Sequence, residues 1–404
     1  MTTTSNPPVQ DPAVVLRAAM VDDLRSEGAV GSEALAAAFA AVPRHLFAPD
    51  ASLEAAYALH GTVVVKRDAS GATLSVMSAA HLQGVMLEQA DVRPGMRVLE
   101  LGSGGYNAAL LQELVGPQGQ VTTVDIDADV VERASACLSA AGYDRVKVVL
   151  TDAEGGVPEG APYDRIIVTY AAWDIAPAWI AELAQDGTLV VPLRLCGLIR
   201  SIAFDREGPG LVSRSYRLAR FVPDQGQGAY QERKIMLRDG VALQTDNRDA
   251  LINAEALNAA LDAPRQTFWS GTAFDMADEL DLFLTLGLAR PAQLYASRQA
   301  VDQGVVTAAA ILGVPVLVSD NSIAYRTKRP ADEPDEFESG VIAFGPQAET
   351  LANQYTDLLQ RWARDHRRRG AARFRYTPKQ SAAAPAPTQD TVIKRHGVVT
   401  VSWH

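Results

Sequence analysis

The sequence predicts an α/β protein: a doubly wound, mainly parallel sheet preceded by N-terminal helices and followed by an extra α+β domain. Three observations predict it. Short apolar strands alternate with helical stretches between about 90 and 220, the pattern of a parallel sheet covered on both faces. A glycine turn, Gly102-Ser-Gly104, separates one such strand from its helix. After Tyr230 the alternation weakens, and at 404 residues the chain is long enough for a further domain. The division expected is 1–228 for the first unit, with its helical N-terminal segment, and 229–404 for the second.

The elements follow in order. Val15, Leu16, Ala19, Met20 and Leu24 share a helical face, Ser32 starts a second helix, and Pro43-Arg-His-Leu-Phe-Ala-Pro49 breaks the pattern. Strands are read at Arg97–Leu101, Gln120–Asp125, Val146–Leu150, Arg165–Thr169 and Thr188–Pro192, with helices at Asn107–Val115 and Ala128–Ala141. Beyond Tyr230, helices are expected at Asp249–Leu261, Ala277–Leu286 and from Ala348 to about Arg369. Strands are expected around Phe268-Trp269, at Val314–Ser319 and at Gly340–Phe344, with an acidic loop at Asp332–Glu338. Ser381–Pro387 reads as a loop, and Val398–Trp403 as a last strand added to a sheet. No internal repeat is visible.

Composition narrows the function. With 37 basic and 48 acidic side chains the formal charge is −11, which argues against nonspecific nucleic-acid binding as the main task. Two cysteines, Cys137 and Cys196, without a CxxC pair, exclude a disulfide scaffold or a structural zinc site. His45, His60 and His81 lack metal-ligand spacing, so no metal is expected. No stretch reaches the roughly 18 charge-poor apolar residues of a membrane span, and no secretory signal opens the chain; a cytoplasmic, soluble protein is expected.

The chemistry centres on Val98-Leu-Glu-Leu-Gly-Ser-Gly-Gly-Tyr-Asn107. Gly102 and Gly104 allow a sharp turn and close approach of backbone to a ligand. The dinucleotide pattern would need a glycine at 107, where the chain has Asn. Three successive strands bring acids to this edge: Glu100, Asp125 at the end of the second, and Thr151-Asp152-Ala153 after the third. Ligands of open α/β sheets bind at that carboxyl edge, where an acid after the second strand accepts from ribose hydroxyls. The bland alternative is a set of solvated acids beside a turn without function. There is no GxSxG elbow for a hydrolase reading of Ser75.

From Val42 to Leu193 the chain resembles the protein-L-isoaspartate O-methyltransferase family. Pro43-Arg-His-Leu-Phe47, Ala72-Thr-Leu-Ser75, Val98–Ala109, Thr123-Val-Asp-Ile126, Gly142-Tyr143, Thr151-Asp-Ala153, Val157–Asp164 and Ile167-Val-Thr-Tyr-Ala171 match its segments in order. The resemblance implies a Rossmann-like fold using S-adenosyl-L-methionine (SAM), with S-adenosyl-L-homocysteine as product. It implies that Gly102, Ser103 and Gly104 line the methionine end, with Thr73, Leu74 and Glu100 nearby. Asp125 and Ile126 hold the ribose side, Asp152 and Ala153 the adenine. Ser75 sits beside the reactive methyl as the catalytic positioner, and its competing reading is a helix N-cap.

The chain departs from the family at the substrate side: Val76-Met77 replaces Gln-Pro or Ala-Pro, and Tyr170 stands in Thr169-Tyr170-Ala171 where Ala is usual. Val76, Met77, Thr169, Tyr170 and Trp173 are therefore expected to shape the substrate pocket, Trp173 having plain packing as its alternative. Arg367 and Arg368, within the Arg364–Arg375 cluster, are expected to attract an acidic peptide, the alternative being a solvated helix end. The long form also resembles actinobacterial methyltransferases encoded with ribosomal peptides such as lanthipeptides. That likeness implies esterification of an Asp in a lanthionine-type, cyclised peptide, closing through succinimide to isoaspartate. The alternatives are repair of isoaspartyl residues in aged proteins, and a non-catalytic SAM-binding partner protein. The sequence does not reveal an oligomeric state.

Overall fold

A computed structural model describes residues 11–102, 104–238, 240–275, 279–288, 292–367, 371–381 and 390–403. Ser103, Ala277, Arg368, Arg369 and most of the 381–387 loop, all singled out in the sequence, lie outside them. A hairpin of β1 (Val63–Arg67) and β2 (Thr73–Met77) precedes the main sheet. That sheet is laid down by β3 (Arg97–Leu101), β4 (Gln120–Asp125), β5 (Lys147–Leu150), β6 (Tyr163–Val168), β7 (Leu183–Leu195), β8 (Leu198–Glu207) and β9 (Gly210–Leu218).

The parallel half runs β5-β4-β3-β6-β7. Its middle strands are buried almost end to end, as strands covered on both faces must be. The N-terminal helices Pro12–Ser26 and Glu33–Ala41, with Tyr106–Val115, cover one face through Leu24, Phe39 and Leu110. Because β3 lies between β4 and β6, the chain reverses its winding there. A crevice must open at the carboxyl ends of β3 and β6.

After β7 the sheet turns antiparallel. Cys196 and Gly197 make the two-residue link to β8, both at positive φ (53° and 86°), the twist a tight hairpin requires. A second sheet of seven strands follows, built from β10 (Arg233–Arg238), β11 (Val241–Thr245), β12 (Gln266–Asp275), β13 (Ala292–Ala296), β14 (Val314–Val318), β15 (Ile323–Pro330) and β16 (Glu336–Phe344). The amphipathic helix Ala348–Asp365 seals it with Leu351, Tyr355, Leu359 and Trp362.

The chain then returns. β17 (Ala372–Pro378), β18 (Thr391–Ile393) and β19 (Gly397–Trp403) extend the first sheet to ten strands, β17 pairing with β9 through Arg375↔Val212 and Tyr376↔Leu211. The expected last strand does join a sheet, and it is the first one. The final strands thus lie in the 229–404 part of the chain and pair with the sheet built by the 1–228 part. The acidic loop is half strand: Glu336 and Glu338 belong to β16 and pair with Arg367 and Arg329. Among the described residues no helix is long and apolar enough to cross a membrane.

Candidate cofactor and methyl-transfer site

The crevice at the winding reversal is a cleft of about 700 Å³. Leu74, Ser75 and Val76 line it from β2, Gly102 and Gly104 from the turn after β3, and Asp125 and Ile126 from the end of β4. Asp152 and Ala153 follow β5, and Thr169 and Tyr170 follow β6. Of the sequence-predicted cofactor residues, Leu74, Ser75, Gly102, Gly104, Asp125, Ile126, Asp152 and Ala153 converge here, Thr73 and Glu100 do not, and Ser103 lies outside the described residues.

The turn is built for close approach. Gly102 has φ +98°, and a Cβ there would lie 2.5 Å from Thr169 Oγ1. That hydroxyl donates to the carbonyls of Leu101 and Gly102, at 3.0 and 2.8 Å, fastening the two strand ends together. Asp125 Oδ1 accepts the backbone N–H of Asp127 at 3.0 Å, so its carboxyl is fixed at the cleft wall. Asp152 accepts from Glu154 N at 3.0 Å and from Gln227 N at 2.9 Å. Tyr170 is half-buried, and desolvation together with the neighbouring Asp224, Glu154, Asp152 and Asp125 holds its hydroxyl well above the ordinary range, so it remains a donor.

Ser75 lies within β2, opposite Lys66. The following helix, Ala80–Ala90, is preceded by Ala79 with no side-chain cap, which removes the N-cap reading. Lys66 ties the hairpin to Asp127 and Asp129 at 2.6 and 2.7 Å. Buried Arg44, from the Pro43-Arg-His segment, donates to Ala56 O, Gln83 Oε1 and Ser78 O at 2.6–2.7 Å, anchoring the chain just after β2.

A second cavity of about 410 Å³ adjoins the first, sharing Val76, Gly102, Gly104 and Thr169. Met77, Gln83, Glu100, Tyr106 and Asn107 also line it. Glu100 is fully buried, accepting from Asn107 Nδ2 at 2.8 Å and Thr123 Oγ1 at 2.6 Å. Burial pushes its carboxyl up to about 7, against the opposing pull of those two donors. It organises the turn from beneath and does not line the main cleft.

Three sequence expectations are corrected. Thr73 accepts from Arg67 Nη1 at 2.9 Å near the hairpin tip and does not line the cleft. Trp173 stacks on Tyr230, centroids 3.9 Å apart and 5° from parallel, with the Lys394 ammonium 4.9 Å from its ring; it packs the junction between the sheets rather than walling the pocket. Among the described residues, three members of the arginine cluster are paired with acids on different elements. Arg367 pairs with Glu336 at 2.7 Å and Arg364 with Asp365 at 2.9 Å, while Arg375 on β17 pairs with Glu207. Arg368 and Arg369 are outside the described residues.

The sequence reading missed the cleft's roof. Val222, Pro223, Asp224 and Gln225, after β9, close one side. Ala171 N donates to Val222 O at 2.8 Å, Asp224 N to Ala171 O at 3.2 Å, and the Gln225 side chain to Leu74 O at 3.2 Å. Gly226, at φ +74°, passes where a Cβ would meet Asp152 Oδ2 at 2.5 Å and Ile126 Cδ1 at 2.6 Å. Burial, then Glu154 and Asp152, push the Asp224 carboxyl up to about 7. The sequence signal was Pro223 followed by Gly226 and Gly228, beyond the last segment matched at Leu193.

A winding reversal with a glycine turn, a carboxyl after the second strand and acids facing a roofed cleft is a nucleotide-cofactor site of the open α/β type, and it agrees with the SAM-dependent methyltransferase fold that the sequence resemblance implies. The cleft suits that cofactor: Gly102 has no room for a side chain against Thr169, so backbone faces the cleft there, and the acid-rich lining favours a cationic sulfonium. The model of the family described as Protein-L-isoaspartate(D-aspartate) O-methyltransferase matches residues 16–228. A protein-L-isoaspartate O-methyltransferase of Hyperthermus butylicus is 38% identical over 227 residues, covering 54% of this chain and 91% of the relative. One from Methanopyrus kandleri is 36% identical over 219 residues, covering 54% and 94%. A solved protein-L-isoaspartate O-methyltransferase overlays with a TM-score of 0.49 at 23% identity, covering 85% of this chain and 93% of the other. The chain belongs to the protein-L-isoaspartate(D-aspartate) O-methyltransferase family and is a SAM-dependent carboxyl O-methyltransferase.

Proposed function

We propose that this enzyme esterifies the side-chain carboxylate of isoaspartyl residues in peptides or proteins. The observation that carries the reading is the placement of Ser75 on the cleft wall beside the Gly102 turn, together with the names of the relatives. SAM supplies an electrophilic methyl group when bound. The acceptor asks little of the protein: a carboxylate with an ordinary pKa near 4 is ionised at neutral pH, so no general base is needed. What remains is orientation and exclusion of water. Ser75 donates a hydrogen bond that holds one acceptor oxygen, and Asp125 holds the ribose. Leu74, Val76 and the 222–225 roof keep water out.

The second reading, an ordinary Asp in a cyclised lanthionine-type peptide esterified on the way through succinimide to isoaspartate, is favoured by one feature. Val76 and Met77 line the second cavity and Tyr170 narrows the cleft, so the acceptor side differs from the pattern that the cofactor side keeps. Incubation with labelled SAM and three peptides separates the readings. An isoaspartyl peptide labelled alone supports the first, a cyclic aspartyl peptide labelled alone supports the second, and an unlabelled linear aspartyl twin is expected in both.

A further inference from the structure

The turn between β18 and β19 reaches back across the molecule to the roof of the cofactor cleft. Arg395 Nη1 donates to Gln227 O at 2.6 Å, and Nη2 to Ala229 O at 3.4 Å. His396 Nε2 sits 2.9 Å from Glu154 Oε1, and its backbone N–H donates to Asp174 Oδ2 at 2.5 Å. Asp174 in turn accepts from Tyr376 OH at 2.9 Å, on β17. The same roof segment is held from inside by Asp152 and Leu74. Residues some 240 positions apart in the chain, Glu154 and His396, thus meet beside the acids of the cleft.

We propose that Arg395 and His396 are positioning residues that hold the 224–229 roof closed over the cofactor, so that the C-terminal strands complete the SAM site. Besides the bonds from Asp224, Gln225 and Gln227 to Ala171, Leu74 and Asp152, the roof has little packing to hold it. Gly226 and Gly228 lie within it, Gln225, Gln227 and Ala229 are loop residues, and only Gly228 is buried. Such a segment opens at small free-energy cost unless tethered. Arg395 supplies two donors, one to the carbonyl in the middle of the short helical turn Gly226–Gly228 and one to that of Ala229, which ends it, and a guanidinium fork satisfies both at once. His396, on Glu154, fixes the adjoining loop that carries Asp152. The C-terminal extension then acts on cofactor affinity, and peptide recognition is not its first effect.

The inference rests on reading this cleft as the cofactor site, and Asp125→Asn tests that reading separately. Arg395 is exposed, so Arg395→Ala in the full chain should fold with an unchanged melting temperature without SAM. If the closed roof falls to about a tenth of the population, the apparent SAM affinity falls about tenfold. Calorimetry with SAM should show that loss, with partial recovery in Arg395→Lys, a smaller loss in His396→Ala, and a peptide KM at saturating SAM near wild type. An Arg395→Ala affinity within twofold of wild type, while Asp125→Asn loses binding, overturns the tether. An unchanged Asp125→Asn overturns the site assignment instead. A melting temperature and peptide KM that shift together with SAM affinity, without recovery in Arg395→Lys, reduce Arg395 to a general structural role and also overturn the proposal.

Discussion

The side-chain amide of Gln225 donates to the backbone carbonyl of Leu74 at 3.2 Å, joining the segment after β9 to the strand that carries Ser75. One wall comes from the hairpin that precedes the main sheet and the other from the loop after β9, and this bond closes them. Removing it in Gln225→Ala forfeits one neutral hydrogen bond, worth about 1 kcal/mol. SAM dissociation should quicken about fivefold in stopped-flow traces, with the melting temperature of the free enzyme unchanged.

Asp125 stands at the end of β4 with one oxygen fixed by Asp127 N. Asp125→Ala removes the acceptor for two ribose hydroxyls, each charge-assisted bond being worth about 1.5–3 kcal/mol. Calorimetry should show SAM affinity reduced at least tenfold while circular dichroism stays as in wild type.

Ser75→Ala should separate binding from transfer. The residue lines the cleft and caps no helix, so the fold does not need its hydroxyl. Methyl transfer is expected to fall about tenfold or more, the range for one positioned donor, with SAM affinity within twofold. A covalent adduct at Ser75 in intact-mass spectra is the result that the positioning role forbids.

Glu100 gives a pH signature. Its carboxyl is raised from 4.5 to about 7 in the folded protein, so the unfolded chain releases its proton first. The stabilisation is complete below about pH 4.5 and is lost as pH rises through 7. Glu100→Gln keeps the shape without the charge. Its stability relative to wild type should improve between pH 4.5 and 7.5 by about 3 kcal/mol in denaturant titrations; a constant difference across that interval contradicts the assignment.

Arg367 faces Glu336 at 2.7 Å with both side chains mostly covered. Arg367→Ala should cost about 1–2 kcal/mol of stability through loss of the charge-assisted bond to Glu336, read by chemical unfolding, and leave the peptide KM within twofold.

Much of this architecture was legible in the residues. Arg97–Leu101 and Gln120–Asp125 have the bounds that their apolar runs predict, because both strands are buried on two faces and bordered by Pro or Gly and acid. The cofactor wall was legible for the same reason: Gly102, Asp125 and Asp152 mark strand ends, and strand ends converge at one edge of a parallel sheet. Long-range contacts were not legible. Nothing local to Arg395 or His396 announces a partner at Gln227 or Glu154. Trp173 gives no sign that Tyr230, more than fifty positions later, will stack on it. Nor does the charge density of the arginine cluster show that Arg367 and Arg375 pair with Glu336 and Glu207, which come from other strands.

The central claim is the identity of the methyl acceptor. A competition in one tube measures it most directly: equimolar isoaspartyl and aspartyl forms of one peptide, SAM, and mass spectrometry of the base-labile methyl ester on each. The account predicts ester on the isoaspartyl form with a kcat/KM at least a hundredfold above that of its twin, a discrimination of about 2.7 kcal/mol. Equal esterification of the two, or ester on the aspartyl form alone, contradicts it.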